Sequence, residues 1–377
     1  MYKRILKEHI RQRFFKARAV IITGARQTGK TTLAQQLIEE AAGRCRSFNC
    51  DNPDERNLLT EKNLDFLKQL IGDAKFVFID EGQKVSSIGQ TVKLLVDYYK
   101  DTKQIIVSGS SSINLLHNTQ EALTGRKYTY RLFPLSLEEI YPDKDLLRIN
   151  KGLEGLLIFG AYPEVVSQGS FDEKRELLQE LHSSYLYKDV LEFRQIRNAD
   201  PVIKLVRALA LQIGSEVSYS ELAGLIGVDK KTVERYIDLL EKSFVIFRLS
   251  AYGKNKRREI SRMKKIYFYD LGIRNAVINN FNFLDSRSDV GALWENFALV
   301  ERIKYRQYHN IYANQYFWRT YDGSEVDLVE ERDGRLDGYE FRWKEQRRRM
   351  KRPSKWLEYP KASLRIITNR QLSGFVL

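Results

Sequence analysis

Eight residues constrain this chain more than any others. Gly24-Ala-Arg-Gln-Thr-Gly-Lys-Thr31 fits the pattern G-x-x-x-x-G-K-[ST]. An apolar run, Ala19-Val-Ile-Ile-Thr23, precedes it and suits a buried parallel strand. A helical pattern follows from Lys30 through Leu33 and Leu37. The glycines let the backbone curl so that its N–H groups face phosphate oxygens, and the helix adds its positive N-terminal end. The expected binding residues are therefore Gly24, Ala25, Arg26, Gln27, Thr28, Gly29, Lys30 and Thr31, with ATP and Mg²⁺ as the ligands. Lys30 is expected to reach the β- and γ-phosphates and Thr31 to ligate Mg²⁺. Two further apolar runs, Phe76-Val-Phe-Ile-Asp80 and Ile105-Ile-Val-Ser108, alternate with helical patterns such as Val92–Val96. That alternation predicts an α/β fold built on a parallel sheet covered on both faces.

The ends of those runs extend the site. The run at 76–80 delivers Asp80 and Glu81 where α/β sheets bind ligands. Asp80 is expected to hold the metal through water, and Glu81 to orient and activate the attacking water as general base. Ser108 and Ser110 follow the third run and fall near the γ-phosphate, or serve only as turn formers. Arg126 and Arg131 come next. Of the two, Arg126 is the preferred arginine finger, acting in cis or from a neighbouring subunit, against a plain surface role.

Length and charge bound the rest. A chain of 377 residues holds two or three domains. The pattern changes suggest 1–145 as the P-loop domain, 146–255 as a helical and winged-helix domain, and 256–377 as a C-terminal α/β domain. No apolar run reaches the ~18 residues of a membrane span, and the first residues lack a signal-peptide core, so the expectation is a cytoplasmic protein with no membrane contact. Cys45 and Cys50 cannot make a disulfide framework or a zinc site alone. A net charge of +14 favours an anionic partner such as nucleic acid.

Taken together, Gly24–Thr31, Asp80-Glu-Gly-Gln83, Ser108–Ser112, Leu123-Thr-Gly-Arg126 and Phe133-Pro-Leu-Ser136 resemble the prokaryotic AAA-type ATPases that carry a C-terminal DUF4143 domain. Gly160-Ala-Tyr-Pro163, Tyr187-Lys-Asp189 and Tyr269-Asp-Leu-Gly272 follow the same pattern. The resemblance implies an AAA-like architecture, ATP use and a position for Gln83 close to the nucleotide. AAA relatives often form rings, so the resemblance makes a homo-oligomer one expected partner arrangement, of unspecified number. Gly82 departs from the pattern, where a larger apolar residue is expected.

Two later segments suggest partners. Residues 218–241 read as two helices around Gly227, capped by Ser220 and Asp229, with Leu222, Leu225 and Ile226 packed on Val233, Ile237 and Leu240. Lys230, Lys231, Thr232 and Arg235 at the start of the second helix suit phosphates and base edges of DNA, and Phe244–Leu249 suits a wing strand. Lys254–Arg258, with Arg262, Lys264 and Lys265, adds basic charge nearby. In the C-terminal region, Glu295 on a helix, Asp327 on a strand and Glu340-x-Arg342 on its hairpin partner follow the layout of restriction-endonuclease-like folds. Arg342 stands where a lysine is required, and Lys344 is two residues on. A degenerate nuclease-like fold is therefore favoured over an active one. The basic tail Arg342–Lys351–Arg352, with Trp343 and Trp356, suits nucleic acid or an acidic protein.

The reading is an Mg²⁺-dependent ATPase whose nucleotide state switches domain arrangement. Its rivals are a DNA-binding nucleotide switch without turnover, an Mg²⁺-dependent nuclease, and an interaction protein that ATP merely stabilises.

Overall fold

Short β-branched runs separated by amphipathic helices fold, in the computed structural model, into a five-stranded parallel sheet. The structure describes residues 2–60, 63–110, 122–191, 199–253, 264–344 and 353–377, with side chains of 184–191 outside that description. Ser111, Ser112, Lys254–Arg258, Arg262 and the basic stretch 345–352 thus lie outside the described residues, as do the side chains of Tyr187–Asp189. Two compact units emerge, one of Met1–Pro134 with Lys242–Phe244, the other of Leu135–Glu241 with Val245–Leu377.

The first unit holds strands β1 (Ala19–Thr23), β2 (Cys45–Asn49), β3 (Phe76–Asp80), β4 (Gln104–Gly109) and β5 (Lys127–Arg131), in the order β2-β3-β4-β1-β5. β1, β3 and β4 read as continuous apolar runs because both faces are covered. The covering helices are α1 (Leu6–Arg11), α2 (Lys30–Glu40), α3 (Pro53–Leu59), α4 (Leu64–Ile71) and α5 (Ile88–Tyr99). One core joins Ile21, Phe48, Val77, Ile79 and Val107 of the strands to Leu67, Val92 and Leu95 of the helices. Since β4 intervenes between β1 and β3, the polar groups at its exit fall between the P-loop and the two carboxylates.

In the second unit a helix pair, Tyr219–Ile226 and Lys230–Lys242, turns at Gly227. Ser218, not Ser220, caps the first helix, accepting from the Glu221 N–H. Asp229 caps the second through the Thr232 N–H at 2.9 Å. Leu222, Ile226, Val233, Ile237 and Leu240 are buried as expected, but Leu225 is 68% exposed, so the packed stripe is narrower than the sequence suggests. A seven-stranded sheet runs β12-β11-β10-β9-β7-β8-β6. Its members are β6 (Glu216–Val217), β7 (Ile246–Ala251), β8 (Lys264–Phe268), β9 (Asn314–Arg319), β10 (Glu325–Arg332), β11 (Arg335–Phe341) and β12 (Ala362–Ile367). The strands beside the helix pair and those of the C-terminal region therefore share one sheet, joined where Ser250 and Ala251 pair with Tyr316 and Phe317. None of the described helices is long and apolar enough to cross a membrane.

Candidate nucleotide site

The exits of β1, β3 and β4 gather on one edge of the five-stranded sheet. Gly24 leaves β1 with φ 152°, and a Cβ there would meet the Leu132 carbonyl oxygen at 2.1 Å. Only glycine permits so close a backbone approach. Thr28 Oγ1 donates to Ala25 O at 2.8 Å and closes the curl. α2 starts directly after Gly29. Lys30, 5% exposed, donates from Nζ to the carbonyls of Gly24 (3.0 Å) and Ala25 (2.7 Å), which holds its ammonium within the loop.

Thr31 and Asp80 meet across this edge, Thr31 Oγ1 donating to Asp80 Oδ2 at 2.8 Å. Ser108 donates to the other oxygen of the same carboxylate. Glu81 follows in the left-handed region, φ 52°, a strained position for a non-glycine residue that turns its side chain away from the line of β3. Gln83 Nε2 donates both to the Glu81 carboxylate and to Ser110 Oγ, the latter at 3.1 Å. Ser110 Oγ in turn lies 3.3 Å from the same Glu81 oxygen. The expected residues of the loop, Asp80, Glu81 and Ser110 are thus neighbours, and Gln83 joins them.

This donor set fits a nucleoside triphosphate with a hard cation. A curled loop at a helix N-terminus suits phosphate. A hydroxyl in contact with a carboxylate offers the oxygen ligands that Mg²⁺ takes alongside water and phosphate.

Arg126 is not brought to this edge. It precedes β5, and its carbonyl accepts from the Ala19 N–H, at the start of β1. The P-loop leaves the other end of β1, so Arg126 lies on the far edge of its own sheet, where it is ion-paired with Asp97. A finger role in cis fails for this reason. Arg131 pairs in register with Thr23 and is the closer of the two along the sheet.

One participant escapes a reading of the sequence. Arg4, 6% exposed, donates to Thr28 O at 3.2 Å and to Phe133 O. It ties the P-loop to the last residues of the first unit from 24 and 129 positions away.

In the C-terminal region the expected Glu295 and Asp327 fall in one charged cluster, which Lys265, Tyr267 and Glu325 join. Glu295, on the helix Val290–Tyr308, accepts from Lys265 Nζ at 3.0 Å and from Tyr267 Oη at 2.6 Å. Lys265 also pairs with Glu325. Burial alone would lower the Lys265 pKa, but Glu295, Asp327 and Glu325 hold it above its ordinary value. Burial, with Glu295 nearby, pushes the Asp327 carboxyl well up. Glu340 and Arg342 pair with each other, and the Phe341 N–H beside them donates to Asp327 Oδ2 at 2.8 Å. Tyr339 meets Arg302 and Trp343 meets Trp294 on the helix side, whereas Gly338 faces Trp356. β11 ends at Phe341, so alternation along the strand puts Glu340 with Gly338 and does not extend to 342 and 344. Among the described residues no group of three or more His, Cys, Asp or Glu is arranged to hold a metal ion.

Three family models match parts of this chain. A family model described as an AAA domain matches residues 16–141, a domain of unknown function (DUF8612) matches 150–283, and another (DUF4143) matches 290–372. An uncharacterized protein of Mycobacterium tuberculosis is 26% identical over 335 residues, covering 88% of this chain and 72% of that one. One of Methanocaldococcus jannaschii is 26% identical over 321 residues, covering 76% and 70%. Among solved structures, the Thermotoga maritima RuvB Holliday junction branch migration motor is similar at TM-score 0.32 and 15% identity, covering 66% of this chain and 90% of that one. The Pif1 helicase of Candida albicans is similar at TM-score 0.28 and 10% identity, covering 48% of each. Both are distant likenesses.

Proposed function

For a chain that carries an AAA domain near its start and a DUF4143 domain near its end, we propose Mg²⁺-dependent ATP hydrolysis that drives a rearrangement of the second unit. The contact of Thr31 with Asp80 carries this reading, because it pairs a P-loop hydroxyl with a strand-exit carboxylate beside a second acid, Glu81. In this scheme the N–H groups of 24–29 and the Lys30 ammonium hold the phosphates. Thr31 and Asp80 would hold Mg²⁺, and the ion, when bound, would supply positive charge to the phosphate oxygens. Glu81 accepts the proton of the attacking water. Gln83 and Ser110 position the Glu81 carboxylate and sense the γ-phosphate. In this scheme Arg126 serves the nucleotide of a second copy of the chain.

Coupling to the second unit follows from chain order. Leu132 and Phe133 touch the P-loop through Gly24 and Arg4, and Leu135 begins the next unit. A steady-state ATPase assay tests the scheme. Turnover is expected in the wild type and lost in Lys30→Ala and Glu81→Gln; equal rates in all three overturn the site assignment.

DNA is the second partner in this reading. The helix Lys230–Lys242 exposes Lys230, Lys231 and Arg235, and β6, β7 and β8 flank the pair as a wing would. Polarisation titrations of duplex DNA across salt, with and without ATP, test it; binding that ignores salt or is absent ends it. The nuclease reading is the weaker one, since Arg342 stands where that layout requires a lysine. Plasmid left intact with Mg²⁺ or Mn²⁺ is expected.

A further inference from the structure

Each of the five parallel strands of the first unit is entered through a basic residue. In sheet order these are Arg44 before β2, Lys75 before β3, Lys103 before β4, Arg18 before β1 and Arg126 before β5. Parallel pairing puts all of them on one edge, opposite the P-loop. Four inter-strand steps of about 4.8 Å make the row about 19 Å long. Backbone bonds fix its register: Lys75 N donates to Arg44 O at 2.9 Å, Gln104 N to Lys75 O at 3.0 Å and Ala19 N to Arg126 O at 2.9 Å. Buried Gln104 donates to Arg18 O at 3.1 Å and accepts from the Phe15 N–H at 2.8 Å, which anchors the approach to β1. That approach adds exposed Arg13 and Lys16.

Ordinary structural roles explain part of the row. Lys103 Nζ donates to Gly72 O and Ala74 O, just past the C-terminal end of α4, where a cation offsets the helix dipole. Arg44 pairs with Asp73, and Arg126 with Asp97. Arg13, Arg18 and Lys75 are different. They are exposed, and among the described residues none of them forms an ion pair. Arg13 and Arg18 lie over the Tyr128 ring at 5.0 and 4.9 Å, and Lys75 lies over Phe15 at 5.0 Å. Cations interleaved with aromatic rings along a straight edge combine phosphate attraction with planar surfaces on which bases stack.

We infer that this strand-entry edge is a contact surface for single-stranded nucleic acid, its backbone following Lys75, Arg18 and Arg13 and its bases meeting the guanidinium and ring planes around Tyr128 and Phe15. It is made of other residues than the helix Lys230–Lys242, and within its own sheet it is the end opposite the nucleotide site.

The test is a salt series of polarisation titrations with a fluorescent thirty-nucleotide single strand. It compares the full-length wild type, the triple variant Arg13→Glu, Arg18→Glu, Lys75→Glu, and the helix variant Lys230→Glu, Lys231→Glu, Arg235→Glu. The triple variant is expected to lose affinity by at least about 10-fold and to flatten the log–log salt slope by about two, since each lost phosphate contact removes about 0.7. Its affinity for a fluorescent ATP analogue stays at the wild-type value, which separates failure of this surface from failure of the nucleotide site. Unchanged affinity and slope in the triple variant, whatever the helix variant does, overturn the inference. So does displacement of the oligonucleotide by polyglutamate at equal charge concentration, which would assign the edge to an acidic protein.

Discussion

Gln83 Nε2 bridges the Glu81 carboxylate and the Ser110 hydroxyl, so the proposed base is held by a side chain from its own turn and a hydroxyl from the next strand. A base held this way is aimed before water arrives, and loss of the bridge should cost rate rather than binding. Gln83→Ala is expected to lower kcat about 10-fold with KM for ATP little changed. Glu81→Gln should lower kcat by at least about 100-fold while ATP stays bound. Steady-state kinetics beside analogue binding separates the two, and a rise in KM without loss of kcat would contradict the positioning role.

The Thr31–Asp80 contact makes a second prediction. Thr31→Val removes one oxygen ligand and the donor to Asp80. Nucleotide affinity measured by calorimetry should fall in the presence of Mg²⁺ and hold steady in EDTA. Equal losses in both conditions would mean that Thr31 supports the loop and not the metal.

Arg126 gives a third. Its pairing with Asp97 is half-exposed, so Arg126→Ala should change stability by no more than about 1 kcal/mol. ATP turnover by isolated chains at low protein concentration should stay within about twofold of wild type, because the guanidinium is on the far edge from its own P-loop. A turnover defect that appears only as protein concentration rises would place Arg126 at a neighbour's site; a defect at all concentrations would contradict the geometry.

Asp289 sets an acid limit for the second unit. Burial would raise its carboxyl, yet hydrogen bonds from Arg287 and Arg274 and their charges hold it at about 2, below its ordinary 3.8. A depressed carboxylate stabilises the fold fully above the unfolded value and loses that contribution as pH falls from about 3.8 through about 2. Urea midpoints of wild type and Asp289→Asn should therefore differ at pH 5 and converge toward pH 2. A gap that persists at pH 2 would assign the effect to packing.

Gly160 offers a test of the second core. With φ +69°, a Cβ there would sit 2.1 Å from Asp270 Oδ1, a buried carboxylate that also accepts from the Ala161 N–H at 2.7 Å. Gly160→Ala is expected to cost about 3 kcal/mol in thermal or chemical unfolding. A cost under about 1 kcal/mol would mean the turn relaxes freely.

What was legible in the sequence was local. The P-loop is eight contiguous residues between a strand and a helix, and Asp80 and Glu81 end an apolar run, so each carries its context with it. Arg4 carries none, because its contacts span 24 and 129 positions and no spacing announces them. The helix cap was misassigned between two serines, though Ser218-x-x-Glu221 has the spacing of a capping box and Ser220 does not. Glu340-x-Arg342 meets a limit of another kind. A strand's period of two says which residues share a face, not which face meets the helix. Lys265 and Tyr267 came to Glu295 from a strand 28 to 30 positions away, beyond any motif spacing.

The joint between β7 and β9 bears on how this protein can be cut. A fragment that stops before β9 would leave β7 with a bare ladder of N–H and C=O groups, and one that begins after β8 would leave β9 equally uncovered. Such edges recruit other chains. The helix pair and the C-terminal strands should thus be inherited, expressed and degraded as one piece, even though family boundaries fall between them at residues 283 and 290.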